Sequence, residues 1–154
     1  MTSRPGHPSR HRSTSVEQTE ELAAHLGRCL AVGDVVLLYG DLGAGKTAFV
    51  RGLAAGLGAD PDEVSSPTFT LMQEYRGRVP LRHLDLYRIA SPEEVDDLGL
   101  DEAAAGAVLA VEWPERLGRP WPGAWRFELT VVDEETRDVR VSPPAARAFD
   151  YSTR

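Results

Sequence analysis

The sequence predicts a single α/β domain with a mostly parallel central sheet flanked by helices and antiparallel strands at the edges. Three observations carry that expectation. A short apolar run, Val35–Tyr39, leads into the glycine-rich stretch GDLGAGKT at residues 40–47 and then into an amphipathic helical pattern over residues 48–57. A continuous apolar run of this length suits a strand covered on both faces, as in a parallel sheet. A second such run, residues 108–111, ends in an acid, Glu112. Residues 126–132 and 138–141 flank the turn-forming Asp133-Glu134-Glu135-Thr136 and read as a terminal antiparallel pair. At 154 residues the chain has the size of one domain around one core.

The remaining elements follow in order. MTSRPGHPSRHRST is rich in Arg, His, Pro and Ser with almost nothing to bury, so residues 1–14 read as a disordered basic tail. A basic arm for nucleic acid is the alternative. Ser15-Val16-Glu17-Gln18 fits a capping box, and Val16, Leu22, Leu26, Cys29 and Leu30 then recur at helical spacing. Cys29, the one cysteine, falls on that apolar face and reads as a small core residue; it has no disulfide partner, and no cysteine–histidine cluster suggests zinc. Gly33-Asp34 closes this helix, and Gly58 closes the one over residues 48–57. Residues 68–75 and 79–87 read as a hairpin through Arg76-Gly77-Arg78. Ser91-Pro92-Glu93-Glu94 opens a short helix with a cap, a first-turn proline and acids, and another helix starts at Asp101. The domain is expected over residues 15–142, with 143–154 a C-terminal tail.

Several classes are excluded or disfavoured. No apolar run approaches the roughly 20 residues of a membrane span. The N-terminus lacks the apolar stretch of a secretory signal, so a cytoplasmic location is expected. A net charge of -7, from 17 basic and 24 acidic residues, disfavours a broad basic face for DNA or other nucleic acid.

GDLGAGKT fits G-x-x-x-x-G-K-[ST] without a mismatch. Glycines 40, 43 and 45 let successive N–H groups turn inward as an anion nest. The helix that follows adds its own N–H groups and dipole. Asp41, Leu42, Gly43, Ala44, Gly45, Lys46, Thr47 and Ala48 are therefore the expected nucleotide-binding stretch. Lys46 would reach the β- and γ-phosphates, and the Thr47 hydroxyl would sit on Mg²⁺. Lys46 is also the chain's only lysine. A rigid arginine fork is a poor substitute for a compact charge on a flexible stem inside so tight a loop. The same census excludes the N/T-K-x-D element of guanine-specific proteins, so ATP is the expected nucleotide. Asp96-Asp97-Leu98-Gly99 matches a loose D-x-x-G pattern but lies in a polar helical segment and carries no weight.

A phosphate loop needs carboxylates to organise Mg²⁺ and the attacking water. Glu112 ends LAVE and Asp85 lies in HLDLYR; both are expected at strand ends beside the phosphates, as catalytic and metal-binding acids. His83 shares a face with Asp85 and reads as a supporting residue. Arg88 and Arg116, near the site, have two open readings: stabilising transferring charge, or surface pairing.

Taken together, GDLGAGKT, SSPTFTLMQEY, HLDLYRI, LGLDE and VEWPERL, in this order and spacing, resemble the TsaE (YjeE) family over residues 15–141. The resemblance implies a single P-loop NTPase domain that binds ATP with Mg²⁺ and hydrolyses it slowly alone. It implies partners too: a glycoprotease-like threonylcarbamoyl transferase and its inactive paralogue, TsaD and TsaB, which modify adenosine 37 of ANN-decoding tRNAs, so that tRNA is met indirectly. Carried onto this chain, Lys46 and Thr47 match the phosphate and Mg²⁺ residues, and Asp85 and Glu112 match the essential acids. Ser66, Pro67 and Thr68 match a switch-like loop, Trp113 the tryptophan beside the acid, and Thr19 a position near the adenine. Ala48 departs from the family pattern, where a hydroxyl commonly contacts the α-phosphate; its loss is worth about 1 kcal/mol. A small-molecule phosphotransferase and a nucleotide-gated binding module remain the alternative functions.

Overall fold

The capping box at Ser15 forms with one change of partner. Ser15 Oγ accepts the Gln18 N–H at 3.1 Å, while Gln18 Oε1 accepts from the Thr14 N–H at 2.8 Å. In the computed structural model, which describes residues 4–41, 43–65 and 72–151, the first elements are β1 (Ser9–Ser13), α1 (Val16–Cys29), β2 (Val35–Tyr39), α2 (Lys46–Gly56), β3 (Met72–Tyr75) and β4 (Leu81–Asp85). Then come α3 (Pro92–Asp96), α4 (Leu100–Ala105), β5 (Val108–Glu112), β6 (Trp125–Val131) and β7 (Arg137–Ser142).

The strands form one sheet in the order β1-β7-β6-β2-β5-β4-β3. The pairs β6/β2, β2/β5 and β5/β4 are parallel, whereas β1/β7, β7/β6 and β4/β3 are antiparallel. The sheet is therefore mixed, which corrects the expectation of a mostly parallel one. The reason lies in the connections. Parallel neighbours need a crossover of a dozen residues or more, and the short links β3–β4 and β6–β7 allow only antiparallel return. Both faces of the parallel centre are covered. Val36, Leu38, Ala110 and Phe127 pack with α1 and α2, while Val35, Leu37, Leu109 and Val111 pack with α3 and α4. Burial of each valine, leucine or phenylalanine among them contributes roughly 1.5–3 kcal/mol.

Helices α1 and α2 meet at backbone distance. A Cβ on Gly52 would lie 2.2 Å from Glu20 O, and one on Gly56 2.2 Å from Ala24 O. That contact corrects the assignment of α1's inner face. Thr19, Leu22, Ala23, Leu26 and Gly27 are buried, whereas Val16 and Cys29 are exposed. The small residues Ala23 and Gly27 carry the close approach, and a reading that counts large apolar residues passes over them.

Both tails also need correction. Residues 9–13 of the expected disordered tail form β1, which covers the open edge of β7 in the register Ser9↔Val141 to Ser13↔Arg137. Polar residues suit such an edge: Arg12 pairs with Asp138 at 2.9 Å. On the C-terminal side, Phe149 is 3% exposed and its ring contacts His11, His25 and Trp125. Arg147 reaches Asp34 and the Cys29 carbonyl, so residues 143–151 belong to the fold. Among the described residues, no helix is long and apolar enough to cross a membrane.

Candidate functional site

The C-terminal ends of β2, β5 and β4 are adjacent: Leu38 is the register partner of Glu112, and Glu112 of Asp85. The glycine-rich loop leaves β2 at this edge and turns into α2. Gly43 (φ 81°) and Gly45 (φ 98°) take left-handed angles that side chains resist, and Gly45 caps the helix that Lys46 begins. The loop thus starts α2 beside the strand ends, with Lys46 reaching back to Gly40 just past β2.

Lys46 is nearly buried. Its ammonium donates to the Gly40 carbonyl at 2.6 Å and lies 3.7 Å from the centre of the Trp113 ring. Burial lowers its pKa from the ordinary lysine value, opposed first by Glu112, then Asp85, Glu115 and Asp41. Trp113 is the one non-glycine residue with positive φ among the described residues (φ 57°). That conformation costs about 1–2 kcal/mol, and it turns the indole back from the end of β5 over the lysine. Tyr87 packs against the same indole with ring centres 5.0 Å apart.

The two acids differ in surroundings. Asp85 is partly exposed and accepts the Tyr87 N–H at 2.9 Å. Its pKa is raised by burial and by Glu112, against the opposing Tyr87 hydrogen bond, His83 and Lys46. Glu112 is 4% exposed and its Oε2 meets the Nε2 of fully buried His83 at 2.5 Å. Lys46, Trp113, Asp85 and Glu112 therefore lie together at these strand ends. Arg116 does not point its donors at them: it donates to the Ile89 carbonyl at 3.2 Å.

A second face of the loop opens on a cleft of about 240 Å³ lined by Thr19, Gly45, Ala48, Glu135 and Arg137. Thr19 is buried there with its hydroxyl 2.7 Å from Ser13 Oγ. Arg137 is the residue that sequence reasoning missed. Its guanidinium donates to the loop carbonyls of Ala44 (3.2 Å) and Gly43 (3.1 Å) and, from its other arm, to Asp133, Glu134 and Thr136. An arginine after an acidic turn gives no cue to this brace, which exists because β7 begins beside the loop. Leu42, Ser66, Pro67 and Thr68 lie outside the described residues.

Among the described residues, no cluster of three or more His, Cys, Asp or Glu could hold a metal alone. A hydroxyl and one or two carboxylates do suit Mg²⁺, which completes its shell with phosphate and water oxygens. Thr47, Asp85 and Glu112 are a donor set of that kind.

A family model described as "Threonylcarbamoyl adenosine biosynthesis protein TsaE" matches residues 13–140. The chain is 42% identical over 132 residues to the tRNA threonylcarbamoyladenosine biosynthesis protein TsaE of Treponema pallidum (strain Nichols), covering 84% of this chain and 97% of that one. With the protein of the same description from Bacillus subtilis (strain 168) it shares 44% over 113 residues, 72% and 70% of the two chains. The crystal structure of Bacillus subtilis YdiB matches with a TM-score of 0.72 and 32% identity, over 89% of this chain and 86% of that one.

Proposed function

The chain belongs to the TsaE family, and from that premise we propose that it is a Mg²⁺-dependent ATPase, slow on its own, that serves threonylcarbamoyladenosine formation in tRNA. The observation that carries the reading is the convergence of one nearly buried ammonium and two carboxylates at neighbouring parallel strand ends, beside a glycine-rich loop. In this reading Lys46 exchanges the Gly40 carbonyl and the Trp113 face for phosphate oxygens. Thr47 and the acid pair would hold Mg²⁺, which would neutralise phosphate charge, and the acids would orient the attacking water. The cleft beside Thr19 and Ala48 takes the nucleoside.

The engagement of two arginines near the site supports slow intrinsic turnover. Arg116 is held by Ile89 O and Arg137 by the loop carbonyls. A positioned arginine is worth about 10³–10⁵ in such reactions, so stimulation by a partner is expected. The partners proposed are TsaD and TsaB, acting in the cytoplasm on adenosine 37 of ANN-decoding tRNAs, with tRNA contacted indirectly. ATP hydrolysis measured with and without those two proteins and tRNA tests this: a rise of about tenfold or more is expected. No stimulation, together with normal tRNA modification in cells depleted of this chain, would overturn it.

One observation also favours gating. Trp113 and Gly40 O compete with phosphate for Lys46, so nucleotide must release the ammonium from the indole that follows the acid Glu112. A Glu112→Gln variant that binds ATP, does not hydrolyse it and still supports modification would make the protein a switch first.

A further inference from the structure

Two acids in register on neighbouring strands, whose backbones run about 4.8 Å apart, repel each other. Asp85 and Glu112 stand in that relation, and both have the strand parity of Leu81 and Ala110, on the α2 face of the sheet. His83 has the same parity, two residues before Asp85, and is fully buried. Its Nε2–H donates to Glu112 Oε2. Its other nitrogen lies 3.4 Å from the Tyr75 hydroxyl, which donates to Gln73 Oε1 at 2.6 Å. Gln73 is itself the register partner of His83 on β3. The imidazole on β4 thus lies between β3 and β5 and is anchored by its bond to Glu112, which is drawn back along β4 while Tyr87 N–H holds Asp85 from the other side.

We propose that His83 is the positioning residue of the acid pair: it holds Glu112 by one oxygen, away from Asp85, and so sets the direction in which the carboxylate meets a bound cation. The inference rests on the reading of Glu112 and Asp85 as nucleotide–metal acids. A carboxylate with three rotatable bonds otherwise has several orientations to choose from. Removal of an orienting partner behind a metal ligand typically costs 10–100-fold in metal affinity.

The test is Mn²⁺ binding to the full chain saturated with ADP, read from the Mn²⁺ EPR signal, with ADP affinity in EDTA and the thermal midpoint measured alongside. His83→Leu is expected to weaken Mn²⁺ by about tenfold or more and to leave ADP affinity in EDTA within about twofold. His83→Gln places an amide N–H where Nε2 was and restores most of the Mn²⁺ affinity; His83→Asn, too short, does not. In a Glu112→Gln background the His83→Leu change adds no more than about twofold. Unchanged Mn²⁺ binding in a folded His83→Leu protein would overturn the proposal. So would an equal loss in both Glu112 backgrounds, or a parallel loss of ADP affinity in EDTA. Intact Mn²⁺ binding in Glu112→Gln itself would overturn the metal-site reading, and the proposal with it. If His83→Leu does not fold, the Gln and Asn variants decide, with equal affinities overturning the proposal.

Discussion

The parallel centre of the sheet and its antiparallel edges divide the work of this molecule. The strands β2, β5 and β4 deliver Lys46, Glu112 and Asp85 to one place by ending side by side. The edges deliver neither of these two acids. They supply Arg137, which braces the loop from β7, and the β1 and C-terminal segments that close the far side. The centre thus holds the charged chemistry and the edges hold the loop's shape. The two should fail in different ways when altered.

The largest expected effect lies at the edge. Phe149→Ala should cost about 3–5 kcal/mol of stability, the usual range for an aromatic lost from a core, with turnover per folded molecule unchanged. Denaturant unfolding checks it, and a change near zero would return residues 143–151 to the status of a tail. At the centre, Lys46→Ala should weaken ATP by about a hundredfold, as removal of a charged hydrogen-bond donor does. Its thermal midpoint should not fall, because the ammonium is desolvated. Calorimetric ATP titration decides, and unchanged affinity would break the assignment of the centre.

Arg137→Ala should weaken nucleotide about tenfold, from the loss of two guanidinium hydrogen bonds to the loop at about 1.5–3 kcal/mol each, largely replaced by water. Arg137→Lys should not rescue it, since an ammonium cannot reproduce the fork. The smallest effect concerns pH. Asp85 holds its proton to higher pH when folded than when unfolded. It therefore opposes folding above its raised pKa, and that opposition is relieved as pH falls toward the ordinary carboxylate value. Asp85→Asn should lift the midpoint of the ligand-free protein by at most a few degrees at neutral pH and flatten this part of the pH profile. A lower midpoint at neutral pH would mean that the Lys46 attraction outweighs burial.

How legible these parts were depends on the range of the interactions that make them. Lys46, Glu112 and Asp85 could be placed because each follows a local pattern: a glycine spacing, or an apolar strand ending in an acid. Leu22, Leu26 and Leu30 of the expected α1 face are buried, but Val16 and Cys29 are not, and the face is completed by Ala23 and Gly27, which bury through close contact with α2 rather than through apolar bulk. The tail at residues 9–13 read as disordered because it has almost nothing to bury. It is nonetheless ordered by hydrogen bonds to β7, a partner more than a hundred residues away.

By itself, then, the sequence located the glycine-rich loop, its single lysine, two acids at strand ends and the central strands, since glycine spacing and strand periodicity act over a few residues. Tertiary structure alone decided the direction of the edge strands, the docking of both ends of the chain, the Arg137 brace and the His83–Glu112 contact. Each of those depends on which distant segment lies alongside, and register between distant strands leaves no mark in local spacing.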